Sequence, residues 1–449
     1  MAPQPPSGFR TSAANGATDM GGFLGYRCSV CDRRYGPDEV VYVCPDDGGN
    51  LDVLLDLDSI RRSVSPASIR ESVEDSIWRY LPLLPVTDPG HDGTPLKSVG
   101  WTPLFRSRRL AADLGLSRLW LKDDGRNPTA SFKDRASAVV VARAQEIGAK
   151  VIITASTGNA GAALAGMAAA ADRPAVILAP KTAPPAKVAQ LLVFGARVVL
   201  VDGTYDQAFD LTLEAAQAFG WYCRNTGYNP FTAEGKKTAA YEICEQFTMA
   251  ISREPVGARH AVPLPQGEWS APQAVFVSVG DGNIISGLHK GFRDLHELGW
   301  IEQVPRLFGI QSTGSAAVAN AFARGSESIE PVRADTLADS ISVDLPRDGL
   351  RALRAATQTG GAYLTVTDAE ILEAIAALGK REAVFSEPAA AAAYAGIVKA
   401  AGAGLVGPED EIVVMLTGSG LKDTRAAMQA AGEAKIIEPR LEALQRILA

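Results

Sequence analysis

The sequence predicts an α/β fold: two open, mostly parallel sheet domains with a ligand cleft between them, plus a small N-terminal cysteine-bearing hairpin module. Three observations carry this. From about Arg118, short apolar runs alternate with stretches of helical periodicity. The runs are apolar throughout, as in strands covered on both faces. A chain of 449 residues, 47% hydrophobic, is long for a single core.

In chain order, residues 1–20 (MAPQPPSGFRTSAANGATDM) read as a flexible leader without the apolar stretch of a secretory signal. Residues 21–55 form the cysteine module, residues 118–224 a small α/β domain, and residues 56–117 with 225–449 the large domain. The small domain is built from RLWLKDD, KVIITAS, PAVILAP and ARVVLVDG as strands, and WYCRNTG ends the run. Helical patterns stand between them, beginning at SFKDRASAVVVARAQEIG, with Gly148 as its stop. In the large domain QAVFVSVGDG, RLFGIQS and EIVVMLTGSG are strands, and a helix starts at Asn283. The Pro- and Gly-rich stretch Pro255–Pro272 reads as an inserted loop, and Ala316–Ser342 as a loop or lid.

Composition narrows the function. Forty-four basic residues against 51 acidic give a net charge of -7 with no long basic run, so nucleic acid is not an expected partner. The apolar segments are short or rich in Ala and Gly, which argues against a membrane span. Five cysteines do not make a disulfide framework, and cytoplasmic residence is expected.

Cys28 and Cys31 form a CxxC pair and Cys44 follows in VYVCPDDGG, the outline of a zinc ribbon lacking its fourth cysteine. Asp47 stands in its place. Cys3Asp is a poor ligand set for a structural zinc, so the module reads as a degenerate ribbon and no metal is assigned.

Four clusters fall at predicted strand ends, where open sheets bind ligands. In NPTASFKDR, Lys133 opens a helix behind Phe132. It is either a surface lysine or an amine whose pKa is lowered by desolvation and a helix N-terminus, suited to Schiff-base chemistry. In ASTGNAG, small residues lead into a helix N-terminus that a planar or anionic ligand can approach, and Asn159 offers an amide; the alternative is an ordinary capped turn. In SVGDGNI, Gly280 and Gly282 permit a nest of N–H groups for a phosphate, although Asp281 must point away. In LTGSG, Thr417 either meets a heteroaromatic nitrogen or satisfies local backbone. His91, His260, His289 and His296 form no convincing constellation.

Taken together, the cysteine module, WRYLPLLP (Trp78–Pro85), WTPLF (Trp101–Phe105), PTASFKDR, ASTGNAG, EGKKT (Glu234–Thr238), SVGDGNI, EPAAAA (Glu387–Ala392) and LTGSGLKD (Leu416–Asp423) resemble the threonine synthase family. That family lies within the tryptophan-synthase-beta-like pyridoxal-phosphate enzymes. The resemblance implies a carbon–oxygen lyase of amino-acid metabolism with pyridoxal 5'-phosphate in the cleft, a homodimer, and closure over a small amino-acid substrate. It implies that Lys133 carries the cofactor as a Schiff base and shuttles protons, and that Phe132 packs beside it. Asn159 would contact the pyridine 3-oxygen. Gly280, Asp281, Gly282, Asn283 and Ile284 would hold the cofactor phosphate through backbone N–H groups. Thr417 would face the pyridine nitrogen and leave it largely unprotonated.

Substrate contacts are expected from Ser156, Thr157, Ala160, Thr226, Thr232 and Lys236. Here the chain departs from the family. Ala160 replaces the Thr of TGNT, and Thr226–Gly227–Tyr228–Asn229–Pro230–Phe231–Thr232 replaces NSxNPxR. Positions that hold the phosphate of O-phosphohomoserine in the family are changed, and an Arg-to-Thr exchange removes a bidentate clamp. Lys236 and Lys237 stand nearby. Conversion of O-phosphohomoserine to threonine and phosphate is therefore weighed against β-elimination (threonine or serine dehydration) or β-replacement on another amino acid.

Overall fold

The N-terminal module is built on β1 (Phe23–Cys28), which pairs antiparallel with β2 (Arg34–Tyr35) and β3 (Leu51–Leu55). This computed structural model describes residues 22–156, 158–183, 185–253 and 268–448. The leader at 1–20, Thr157, and Pro255–Pro272 up to residue 267 lie outside the described residues, as does His260.

The larger sheet contains β4 (Leu104–Arg106), β5 (Leu119–Asp123), β10 (Ala274–Ser278), β11 (Arg306–Ser312), β12 (Ala362–Val366) and β13 (Ile412–Leu416). Its order is β12-β11-β10-β13-β5-β4, all parallel except β4. Every residue of β10 and β13 is buried, which explains their unbroken apolar sequences. The smaller sheet is wholly parallel, ordered β8 (Arg197–Val201), β7 (Ala175–Pro180), β6 (Ile152–Ala155), β9 (Tyr222–Cys223).

Two expectations change. Read as the first strand of the small domain, β5 instead pairs along its whole length with β13, so the small sheet begins at β6. Its Lys122 is buried against Glu242, which ties the strand to the large domain's interior. Second, Ala316–Ser342, read as a loop or lid, contains the helix Ala317–Ala323. Its ends meet where Ser315 Oγ donates to the carbonyl of Val343 and accepts from its N–H, both at 3.0 Å, and Leu337 N within it donates to the Asp368 carboxylate at 2.9 Å.

The Ala-rich helix Pro388–Gly402 packs beneath β10 to β13. Small side chains permit that close approach; a Cβ at Gly396 would stand 2.3 Å from Ile310 Cδ1. Helices Phe231–Ser252 and Asn283–Glu297 lie side by side and are largely buried. Among the described residues no helix is long and apolar enough to cross a membrane.

Candidate active site

The cavity between the sheets is assembled from strand ends and helix starts. Lys133 begins the helix Lys133–Glu146, and the N–H of Phe132 bonds the carbonyl of Thr417 at 2.9 Å. That bond sets the lysine's loop against the end of β13. Lys133, Thr226, Lys236, Ser278, Gly280–Ile284, Ser340, Glu387 and Thr417 line one cavity. Among the described residues Lys133 Nζ has no hydrogen-bond or ion-pair partner. Burial lowers its pKa; the charge of Glu387 opposes this and that of Arg224 reinforces it. The shift favours the neutral amine, the form a nucleophile and proton carrier requires.

Gly280–Ile284 joins β10 to the helix Asn283–Glu297. Gly282 has φ of +91°, and a Cβ there would lie 2.7 Å from the carbonyl of Asp348, so glycine is required for the loop to fold over itself. Asp348 N donates to the carbonyl of Asp281 at 2.8 Å, and Asn283 Nδ2 to the Asp348 carboxylate at 2.7 Å. The carboxylate of Asp281 is engaged by the N–H of Arg347 at 3.3 Å. Lys236 reaches the same place from the next helix, its Nζ 2.5 Å from Asn283 Oδ1. Burial, then the charges of Lys133 and Arg224, hold Lys236 well below the ordinary lysine value. A buried cation beside a Gly-containing helix N-terminus is a seat for a phosphate dianion. The residues therefore fit pyridoxal phosphate. Lys133 would attach it, Gly280–Ile284 with Lys236 would hold its phosphate, and Asn159 and Thr417 would flank its ring.

A second cavity adjoins the first and shares Ser340, Glu387 and Ala389 with it. Asn159 stands at this junction. Its Nδ2 donates to both oxygens of Glu387, at 2.8 and 2.9 Å, and approaches Ser340 Oγ at 3.3 Å. Burial raises the Glu387 pKa, while the Asn159 hydrogen bond and the charge of Lys133 draw it back.

The expected substrate residues divide. Ser156 is buried and its Oγ accepts from Gly158 N at 3.1 Å. Ala160, half-buried, opens the following helix. Thr226 faces the cavity. Thr232 is buried beneath it, its Oγ donating to the carbonyl of Asn229 and lying 3.1 Å from Asn283 Oδ1. Lys237, read as a neighbour of the substrate, turns into the protein and pairs with Glu234 at 2.6 Å and Asp294 at 3.0 Å. Gly227 has φ of +77°, and a Cβ there would stand 2.9 Å from Arg347, so the backbone excludes the serine that the family carries at this position.

Arg224 and Glu387 were not singled out from the sequence as site residues. Arg224 is fully buried; Nε lies 3.2 Å from Ser137 Oγ and Nη1 donates to Thr226 Oγ1 at 2.7 Å. Nη2 has no partner among the described residues. Burial pulls the guanidinium pKa down to about 10. A buried guanidinium with an unused donor is unusual and costly, and an anion arriving at Thr226 would satisfy it.

Comparison with known proteins agrees with this geometry. Residues 96–418 match the family model described as pyridoxal-phosphate dependent enzyme. The chain is 37% identical over 424 residues to a threonine synthase of Methanocaldococcus jannaschii, covering 94% of this chain and 98% of that one. A threonine synthase of Methanosarcina acetivorans is 34% identical with the same coverages, and one of Mycobacterium tuberculosis 33% identical over 82% of this chain and 94% of its own. Among solved structures, threonine deaminase isoform 2 from Solanum lycopersicum shares the fold with a TM-score of 0.61 at 22% identity, covering 82% of this chain and 95% of that one. Diaminopropionate ammonia lyase from Escherichia coli does so with a TM-score of 0.59 at 17% identity, covering 73% and 86%.

Proposed function

The chain belongs to the family of pyridoxal-phosphate-dependent enzymes, among its threonine-synthase-like members, and from that premise we propose that it works on a small L-amino acid whose leaving group is anionic, with O-phosphohomoserine as the first candidate. The chemistry is elimination or replacement on a small amino acid. When bound, pyridoxal phosphate supplies the electron sink for charge left at the substrate Cα. The protein's own residues do the rest. Lys133 Nζ, held below its ordinary pKa, removes the Cα proton and returns it. Gly280–Ile284 and Lys236 would hold the cofactor's phosphate, and Asn159 and Glu387, hydrogen-bonded to each other, would stand beside its ring.

The observation that carries the anionic leaving group is the unpartnered Nη2 of Arg224 beside Thr226. The anchor loop and Lys236 account for one phosphate, and Arg224 supplies a charge-assisted donor for another. It would thus replace the arginine missing at Thr232. The near full-length likeness to threonine synthases supports the same reading.

A second reading is favoured by Ala160, Gly227 and Thr232, which lack the side chains that the resembled family uses for substrate phosphate. On that reading the enzyme dehydrates threonine or serine, or exchanges a β-substituent. Single-turnover absorbance spectra of purified holoenzyme distinguish the two. The panel is O-phosphohomoserine, L-threonine, L-serine, O-phosphoserine and O-acetylserine, with products identified by mass spectrometry. Threonine and phosphate from O-phosphohomoserine support the first reading. Turnover confined to unphosphorylated compounds overturns it in favour of the second.

A further inference from the structure

The geometry points to a metal site in the N-terminal module: one zinc ion held by Cys28, Cys31, Cys44 and Asp47. The ligand atoms of these four residues lie within 4.8 Å of one another. Cys31 Sγ and Cys44 Sγ are 3.7 Å apart, and Cys28 Sγ lies 3.3 Å from Asp47 Oδ1. Tetrahedral zinc with Zn–S of about 2.3 Å and Zn–O of about 2.0 Å requires edges of roughly 3.8 Å between sulfurs and 3.5 Å between sulfur and oxygen. The Cys31–Cys44 and Cys28–Asp47 edges already match these lengths, and no ligand pair stands more than 4.8 Å apart. All three thiols are free, and 3.7 Å is far beyond a disulfide bond.

The fourth ligand is the point at issue, because a ribbon ordinarily has cysteine there. The backbone settles whether Asp47 stands at a ligand position. In the first turn, Cys28 N donates to the carbonyl of Arg33, and Asp32 N donates back to the carbonyl of Cys28. In the second turn, Cys44 N donates to the carbonyl of Gly49, and Gly48 N to the carbonyl of Cys44. The fifth residue of each turn has positive φ, +63° at Asp32 and +71° at Gly48. The two turns are therefore copies of one backbone motif. Cys31 is fourth in the first and Asp47 is fourth in the second, so Asp47 occupies the place of a ligating cysteine. Supporting groups surround the sulfurs as they would thiolates: Val30 N donates to Cys28 Sγ at 3.3 Å, and Tyr35 Oη lies 3.0 Å from Cys44 Sγ.

The module's position gives such a site a consequence. Asn50, just after the second turn, donates from Nδ2 to the carbonyls of Gly227 and Arg347. Tyr42 stacks on Tyr228 with ring centroids 4.6 Å apart, and its Oη accepts from Cys223 N. Arg354 Nη1 donates to the carbonyl of Ser29. The two turns thus brace the segment carrying Thr226 and the segment that closes over the Gly280–Ile284 loop. A zinc ion would lock both turns and hold that wall in register.

The test is zinc content per chain in full-length holoenzyme purified under reducing conditions from zinc-supplemented cells, with cobalt substitution beside it. About one zinc per chain is expected, as is a cobalt form with tetrahedral ligand-field bands and thiolate charge transfer. Chelation should expose three reactive thiols and lower Tm, and added Zn²⁺ should restore both. Asp47→Cys should keep the metal and raise the charge-transfer intensity in proportion to four thiolates rather than three, whereas Asp47→Ala should lose metal affinity. Should Asp47→Ala not fold, Asp47→Cys still decides the ligand's place. A well-folded wild-type enzyme that contains no zinc and takes up neither Zn²⁺ nor Co²⁺ overturns the proposal. Charge transfer unchanged in Asp47→Cys overturns the role of Asp47.

Discussion

Arg135 holds Glu242 through two nitrogens, Nη1 to Oε1 at 2.6 Å and Nη2 to Oε2 at 2.7 Å, with all four atoms buried. The same guanidinium binds Asp124, and Lys122 donates to Glu242 at 2.7 Å. One buried cluster thus ties β5, the helix that begins at Lys133 and the helix Phe231–Ser252. It fixes where Lys133 starts. Glu242→Ala would leave buried Lys122 without its carboxylate and Arg135 with Asp124 alone, so a loss of about 3–5 kcal/mol is expected. Urea denaturation at pH 7 measures it. Burial pushes the Glu242 carboxyl up, but Arg135 and Lys122 outweigh it and hold the pKa below the ordinary value of 4.5. The cluster's contribution is present above that value and disappears as pH falls through the depressed folded pKa. A denaturation series from pH 6 to pH 3 should fall more steeply for wild type than for Glu242→Ala.

Lys133→Ala should leave the fold and cofactor anchoring largely intact, because the loop at Gly280–Ile284 does not depend on the amine. Turnover on any accepted amino acid should fall by a factor on the order of 10²–10⁴ or more. Mass spectrometry after borohydride reduction should find the cofactor covalently retained on wild type and absent from the variant. A trapped adduct on another lysine would overturn the assignment.

Lys236 carries two opposed effects. Burial and its cationic neighbours keep its pKa well below 10.5, so in the window between the folded and unfolded values the unfolded chain binds more protons. Lys236 therefore weakens the cofactor-free fold near neutral pH, and stability recovers as pH rises through that window. Lys236→Met should stabilise cofactor-free protein at pH 7.5 and flatten its rise toward pH 9.5 in denaturation experiments. The same variant should bind pyridoxal phosphate roughly 10- to 100-fold more weakly, from a lost charge-assisted contact of about 1.5–3 kcal/mol. Equilibrium titration of the cofactor's absorbance measures the second effect.

How much of this was legible in the sequence follows from geometry. Lys133, Gly280–Ile284 and Thr417 lie where strands of one parallel sheet end, so motifs read separately were bound to converge. Lys236 and Lys237 could not be told apart by composition. Adjacent helix residues point about 100° apart, and only the packing of the helix Asn283–Glu297 shows which faces the cavity. Glu387 lay in a recognised run but met Asn159 only through a contact 228 positions away. The strand Leu119–Asp123 has the same apolar character as a small-domain strand, and pairing partners are not encoded in a single strand's pattern. Arg224 follows the strand Tyr222–Cys223 and stands two positions before the Thr226–Thr232 segment, outside any motif.

Arg224 offers the sharpest separation of the two substrate readings. Its Nη1 is committed to Thr226, its Nε faces Ser137, and its Nη2 has no partner among the described residues. Arg224→Met removes the charge while filling much of the same volume. With an anionic leaving group, the variant loses a charge-assisted hydrogen bond of about 1.5–3 kcal/mol, so kcat/KM should drop roughly 10- to 100-fold. With a neutral leaving group, the variant loses no substrate contact. Relief of an unpaired buried charge should then raise stability, and kcat/KM should change little. Arg224→Lys keeps charge but not the fork, so a phosphate substrate should recover only part of the loss. Measuring kcat/KM for wild type and both variants, with O-phosphohomoserine and L-threonine in parallel, reads the difference. A uniform loss on both substrates would mean that Arg224 supports the site's shape rather than its choice of leaving group.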